Sequence, residues 1–201
     1  MITNLILSII LSEIGARHIN FLYKQEISEL SFPDEILLRS KYRKIFLAII
    51  FFICAMILIN LPIREFLFLM TAIYFLALII CTDFEQYIIF DKILIPFAIV
   101  GIIFAINADK IIAAIIGGGI FLIIAILTNG IGGGDIKLVA VLGLWLGTDK
   151  LLQVVIISCI FGGIAATILI LAKKKNRNDF FAYGPYFAIT TIFIICLNYI
   201  S

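Results

Sequence analysis

The chain has 201 residues, 64% hydrophobic and 14% charged, with a net charge of +2. Ordinary soluble domains are about 45–50% apolar and about 25% charged, and one soluble core cannot hide so much apolar surface. This excludes a disordered chain, a secreted disulfide scaffold and a nucleic-acid-binding module, and leaves a polytopic membrane protein.

Spanning about 30 Å of hydrocarbon takes about 20 helical residues. Apolar runs broken by charge, Pro or Gly clusters give eight candidates. The first is Ile2–Tyr23, which contains Glu13, Arg17 and His18. Ile45–Leu61 and Phe66–Thr82 follow, separated only by Pro62–Glu65 and therefore a tight hairpin. Then come Ile93–Ile106, Ile111–Thr128, Ile136–Leu146, Leu151–Ala172 and Phe180–Ile200. Ile93–Ile106 and Ile136–Leu146 are too short to span alone, so each borrows flanking residues or stops part-way. The expected fold class is all-α: a bundle of about eight transmembrane helices, some short or broken, forming one integral-membrane domain over 1–201. Residues 24–44 are the only long polar stretch and read as a cytoplasmic hairpin on the membrane surface, with Pro33, Asp34 and Glu35 entering a short helix. No A-x-A-like cleavage site follows a short apolar stretch, so no removed signal peptide is expected. Cys54, Cys81, Cys159 and Cys196 form no C-x-x-C pair and read as buried small hydrophobes. His18 stands alone, a poor metal site.

Positive charge orients the helices. With the N-terminus outside, the inner segments 24–44, 83–92, 129–135 and 173–179 carry ten Lys and Arg, whereas the outer turns carry only Arg64, Lys110 and Lys150. Cytoplasmic loops are the basic ones, so the distribution supports both the helix count and the orientation.

Ionisable residues at membrane depth are costly and mark function. Asp109 and Asp149 sit beside Lys110 and Lys150 in outer turns and read as solvated. Glu26, Glu29, Asp34 and Glu35 belong to the polar hairpin, and Asp179 adjoins the basic run 173–177. That leaves Asp83, Glu85, Asp91 and Asp135. Asp83 closes the run Phe66–Thr82, and Asp135 ends Asn129-Gly130-Ile131-Gly132-Gly133-Gly134-Asp135. By the charge topology both fall on the cytoplasmic side at similar depth. The glycines let the backbone bend and approach another chain closely. Unwound backbone at membrane depth is buried in protein or lines a wet cavity, which suggests a cavity with a carboxylate at its edge. A flexible turn with Asp135 capping the next helix is the alternative. Two facing carboxylates share one proton; the ionised one activates water and the protonated one polarises a carbonyl. Such peptide hydrolysis needs neither metal nor covalent intermediate, and no Ser-His pair, Cys-His pair or H-E-x-x-H competes with it. A small ion- or proton-coupled transporter, a different class, also uses broken helices with an intramembrane Asp. Against it, the chain shows no inverted repeat and its acids lie near one face.

Gly132-Gly133-Gly134-Asp135 is a G-x-G-D motif, and its continuation from Ile136 to Gly147 resembles the G-D-x-K-L-x-A-x-L-G-x-W-L-G stretch of type IV prepilin peptidases. Tyr183-Gly184-Pro185-Tyr186-Phe187-Ala188 is similar to that family's F-G-P-Y/F-L-A stretch, and Asp83 and Asp91, eight apart with Ile89 between them, resemble its first aspartate motif. The resemblance covers roughly residues 66–190. It implies a membrane aspartic endopeptidase without cofactor, in the bacterial inner membrane with its site facing the cytoplasm. Its partners would be prepilin or pseudopilin precursors, whose leader it cleaves, and membrane lipid, with no nucleic acid. It implies Asp83 and Asp135 as the catalytic pair and the loop Gly132, Gly133 and Gly134 as the positioner of Asp135. Supporting candidates are Lys137, which tunes the pair, meets an anionic neighbour or snorkels; Glu85, which assists at the first motif or is a solvated loop acid; Asp91; and Gly184 with Pro185, which allow close packing or a kink. The sequence departs from the family in three places, one being Ile19–Tyr23, which lacks a clear version of the family's N-terminal G-S-F-L-N-V stretch. Phe90 replaces a triplet proline. Residues 24–44 also lack the two zinc-binding C-x-x-C pairs of the bifunctional members that methylate the new N-terminus, so the resemblance implies the peptidase alone. A non-catalytic relative is the other reading of these departures.

Overall fold

The computed structural model describes residues 2–105, 107–128, 130–172 and 181–199. Among the described residues there are α-helices and short 3-10 turns and no strand. The helices are α1 (Ile2–Gln25), α2 (Ile36–Arg39), α3 (Arg43–Ile57), α4 (Ile63–Gln86), α5 (Asp91–Ala105), α6 (Ala108–Thr128), α7 (Gly133–Leu146), α8 (Thr148–Leu171) and α9 (Gly184–Leu197). Four of them, α1, α4, α6 and α8, are long and apolar enough to cross a membrane, so the chain is a multi-pass helical membrane protein. All eight apolar runs carry a helix, and α2 lies in the polar stretch between the first two. The basic run Lys173–Arg177, with Asp179, Ile106 and Asn129, lies outside the described residues.

Local chemistry sets the boundaries. Pro62 occupies the N-cap position of α4, where its missing N–H costs nothing, and Glu65 in the first turn favours the positive helix end. At its other end α4 runs past Thr82 to Gln86, so Asp83 and Glu85 are helical rather than in a loop. Arg43 and Lys44 likewise begin α3 instead of ending the polar hairpin. As expected, α5 and α7 are short, at 15 and 14 residues. Despite its charges α1 is continuous over 24 residues. Arg17 pairs with Glu13 one turn away at 2.9 Å, Lys44 reaches Glu13 at 2.8 Å, and His18 Nδ1 lies 3.2 Å from the Tyr74 hydroxyl.

The chain divides into two compact units, residues 1–88 with 192–201, and residues 89–191. In the first, α1 packs on α3 and α4 around Ile19, Leu22, Leu47, Phe51, Ile73 and Leu76, all buried. In the second, α7 is held against α6 and α5. Trp145 stacks on Phe97 with ring centroids 4.9 Å apart and donates its indole N–H to the Phe97 carbonyl at 2.9 Å. Gly143 lets α7 approach α6: a Cβ there would lie 2.5 Å from the Ala114 nitrogen and 2.7 Å from the Ala113 carbonyl carbon.

Two expectations for side chains are corrected here. Cys54, Cys81 and Cys196 are buried, but Cys159 is exposed. Asp109 is more than a solvated loop acid: it sits in the first turn of α6 and accepts hydrogen bonds from the Thr148 backbone N–H at 3.2 Å and the Thr148 hydroxyl at 2.5 Å, capping α8.

Candidate active site

Asp83 lies in the last turn of α4 and is 5% exposed. The helix stops one turn later because Tyr87 adopts the left-handed conformation, with φ 54°, and its N–H bonds back to the Asp83 carbonyl oxygen at 3.0 Å. The reading of Glu85 as a solvated loop acid is overturned. Glu85 is helical and 7% exposed, and it accepts hydrogen bonds from Arg43 Nε at 2.8 Å, from Arg43 Nη2 and from the Tyr23 hydroxyl at 3.0 Å. A carboxylate buried there requires such partners, because an unpaired charge in a low-dielectric interior is strongly unfavourable. Glu85 is two residues from Asp83, a spacing at which helical side chains do not face each other.

In the second unit, Asp91 opens α5, and Lys137 on α7 places its Nζ 2.7 Å from both carboxylate oxygens of Asp91. Lys137 therefore has an anionic neighbour, in a pair whose side chains are 57% and 55% exposed.

The glycine run is less unwound than expected. Gly132 is the N-cap of α7, and Gly133 and Gly134 are already helical. Asp135 is thus the third helical residue rather than the cap. Two of the three glycines are close to neighbours: a Cβ on Gly134 would sit 3.0 Å from the Ile89 Cβ and one on Gly132 3.3 Å from the Asp135 Oδ2, whereas one on Gly133 would meet nothing within 4 Å.

Asp135 is half-buried, and its Oδ1 is enclosed with no hydrogen-bond partner among the described residues. It stands at the mouth of α7, outside the four candidate spans. Burial pushes its carboxyl up to about 6, against the backbone amides of Gly132 and Gly184, which act in the opposite sense. Gly184 and Pro185 form the first turn of α9, where proline is compatible with the helix. The Gly184 amide thus bears on the Asp135 carboxyl, which the sequence did not suggest. Asp135 also edges a cavity of about 310 Å³ in the second unit, lined by Phe121, Ile124, Ile131, Cys159, Tyr183 and Phe187 among others. Cys159 and Tyr183 were not anticipated here; only the fold brings α8 and the residue before α9 to this wall. Among the described residues no three His, Cys, Asp or Glu side chains gather as metal ligands.

Residues 70–167 match the model of the "Type IV leader peptidase family", a stretch that includes Asp83 and Asp135. A "Prepilin leader peptidase/N-methyltransferase" of Neisseria gonorrhoeae is 30% identical over 120 residues, 54% of this chain and 41% of that protein. One of Aeromonas salmonicida is 30% identical over 119 residues, covering 53% and 41%. Another, of Xanthomonas campestris pv. campestris, is 39% identical over 61 residues, covering 30% and 21%. The matched part spans less than half the length of these relatives. No solved structure matches the chain. The family model lies across both aspartate motifs and relatives of the same description align with the chain, so residues 70–167 are similar to the type IV leader peptidase family.

Proposed function

We propose that this protein is an aspartic endopeptidase of the bacterial inner membrane that removes the leader of prepilin or pseudopilin precursors at the cytoplasmic face. The observation that carries this reading is Asp135: an enclosed carboxyl, pushed up to about 6 by burial, at the edge of an apolar cavity and inside the family-matched segment. Asp83 and Asp135 act as the catalytic pair. The ionised carboxylate takes a proton from water as the water oxygen attacks the scissile carbonyl carbon. The protonated partner donates to the carbonyl oxygen, and the tetrahedral intermediate collapses as the amide nitrogen leaves with a proton. The cavity's apolar walls suit the hydrophobic segment that follows the cut in such a substrate, while the basic leader remains in water.

The test is cleavage of a prepilin-like substrate co-expressed in bacterial membranes, read as a size change on a gel. Wild type is expected to process it, and Asp83→Asn and Asp135→Asn are each expected to stop processing while still accumulating in the membrane. Processing that survives either substitution removes that aspartate from the mechanism.

A further inference from the structure

We infer that Glu85 and Gln86 are positioning residues: together they lock the last turn of α4, and Asp83 within it, onto α1, α3 and the polar segment. This rests on the proteolytic reading of Asp83 given above. The lock has two halves in the first unit. Glu85 carries the first. Arg43 grips both of its carboxylate oxygens, and the rest of the guanidinium is taken up by Asn20, whose Oδ1 accepts from Nη1 at 2.6 Å, and by the Tyr23 ring, whose centroid is 5.1 Å away. Tyr23 donates its hydroxyl to the same carboxylate. A planar fork satisfied on several edges fixes orientation as well as distance.

Gln86 carries the second half. Its side chain is fully buried and reads the Phe32 backbone on both edges: Oε1 accepts from the Phe32 N–H at 2.8 Å and Nε2 donates to the Phe32 carbonyl at 3.1 Å. Phe32 is fixed in turn by the Arg39 guanidinium 3.5 Å from its ring centroid and by an edge contact to Tyr87 at 5.4 Å. Arg39 is held by Glu35 at 2.7 Å. Tyr87 is the only non-glycine residue with positive φ among the described ones. That conformation is strained for a residue with a Cβ and persists where its surroundings over-determine it. The sequence placed 24–44 on the membrane surface; these contacts instead tie it to the helix end that carries Asp83. Misplacing a reacting group by about 1 Å can cost about 10²-fold in rate, so a helix end that would otherwise fray is given a rigid seat.

The experiment uses the full chain in lipid, with Arg43→Ala, Arg43→Lys and Gln86→Leu beside wild type. Two quantities are read: amide hydrogen exchange over residues 82–88, and kcat and KM for a prepilin-like peptide. In Arg43→Ala, exchange over 82–88 is expected to speed up at least about tenfold. Its kcat is expected to fall about 10²-fold with KM within about twofold. Millimolar guanidinium, entering the space left between Glu85, Tyr23 and Asn20, is expected to reverse both changes, which general misfolding would not allow. If Arg43→Ala does not fold, Arg43→Lys and Gln86→Leu carry the same two measurements. Unchanged exchange over 82–88 overturns the lock, whether or not the protein proves to be a protease. Faster exchange with unchanged kcat overturns the positioning role. Absence of cleavage by wild type counts against the proteolytic reading instead, and exchange still decides the lock.

Discussion

Glycine substitutions along the α6–α7 contact offer a graded test of how the second unit is packed. Alanine at Gly143 would place its Cβ 2.5 Å from the Ala114 nitrogen and 2.7 Å from both the Ala113 carbonyl carbon and the Ala114 Cα. Ordinary non-bonded carbon separations are about 3.5–4.0 Å, so α6 and α7 would have to part by roughly 1 Å. The obstacle is backbone and cannot rotate away. Gly119, on α6, is the control, since a Cβ there meets nothing within 4 Å. Helix propensity favours alanine over glycine by about 1 kcal/mol at both sites and cancels in the comparison. What remains is the overpacking cost, typically about 1–3 kcal/mol and here at the upper end. Gly143→Ala is therefore expected to be about 2–3 kcal/mol less stable than Gly119→Ala by equilibrium unfolding in mixed micelles. Gly117→Ala should fall between them, because its 2.7 Å obstacle is the Leu151 Cδ2 at the end of a flexible side chain. Equal stability of the Gly143 and Gly119 variants would refute this account of the packing.

Two further outcomes follow from single side chains. The raised carboxyl of Asp135 makes the native state hold its proton more tightly than the unfolded chain, whose aspartates titrate near 3.9. Its contribution to stability is therefore complete below about pH 4 and lost as the pH rises to about 6, by at most about 3 kcal/mol; Asp135→Asn should flatten that part of the stability–pH curve, and an unaltered slope would count against the burial of the carboxyl. Lys137→Met removes an ion pair whose partners are more than half exposed. It should change unfolding stability by less than about 1 kcal/mol, a bound that the same micelle assay checks.

Much of this protein is legible in one dimension. A span of about 30 Å requires a long apolar run, so composition and breaks were enough to locate the eight longer helices, and Pro33, Asp34 and Glu35 marked the start of the single-turn-sized α2. The G-x-G-D motif pointed to Asp135, and the end of an apolar run pointed to Asp83, because an acid is conspicuous in lipid. Boundaries at charged residues were harder to read. Arg43 was counted with a basic loop and Glu85 with a polar turn, since each taken alone is hydrophilic. Both are buried, because each supplies the other's counter-charge across 42 positions of sequence. The glycines were read as unwound backbone edging a cavity, although Gly133 and Gly134 belong to a helix whose N-cap is Gly132.

From the sequence alone came the membrane setting, the all-helical class and the two aspartates, because hydropathy and motif spacing are properties of neighbouring residues. Tertiary structure decided that Gln86 holds the Phe32 backbone, that the Gly184 amide bears on the Asp135 carboxyl, and that Cys159 and Tyr183 share a cavity wall with that aspartate. Each of these joins residues at least 24 positions apart in the sequence. Such partners are chosen by how helices pack, and the burial that forces polar groups to find one another exists only once the chain has folded.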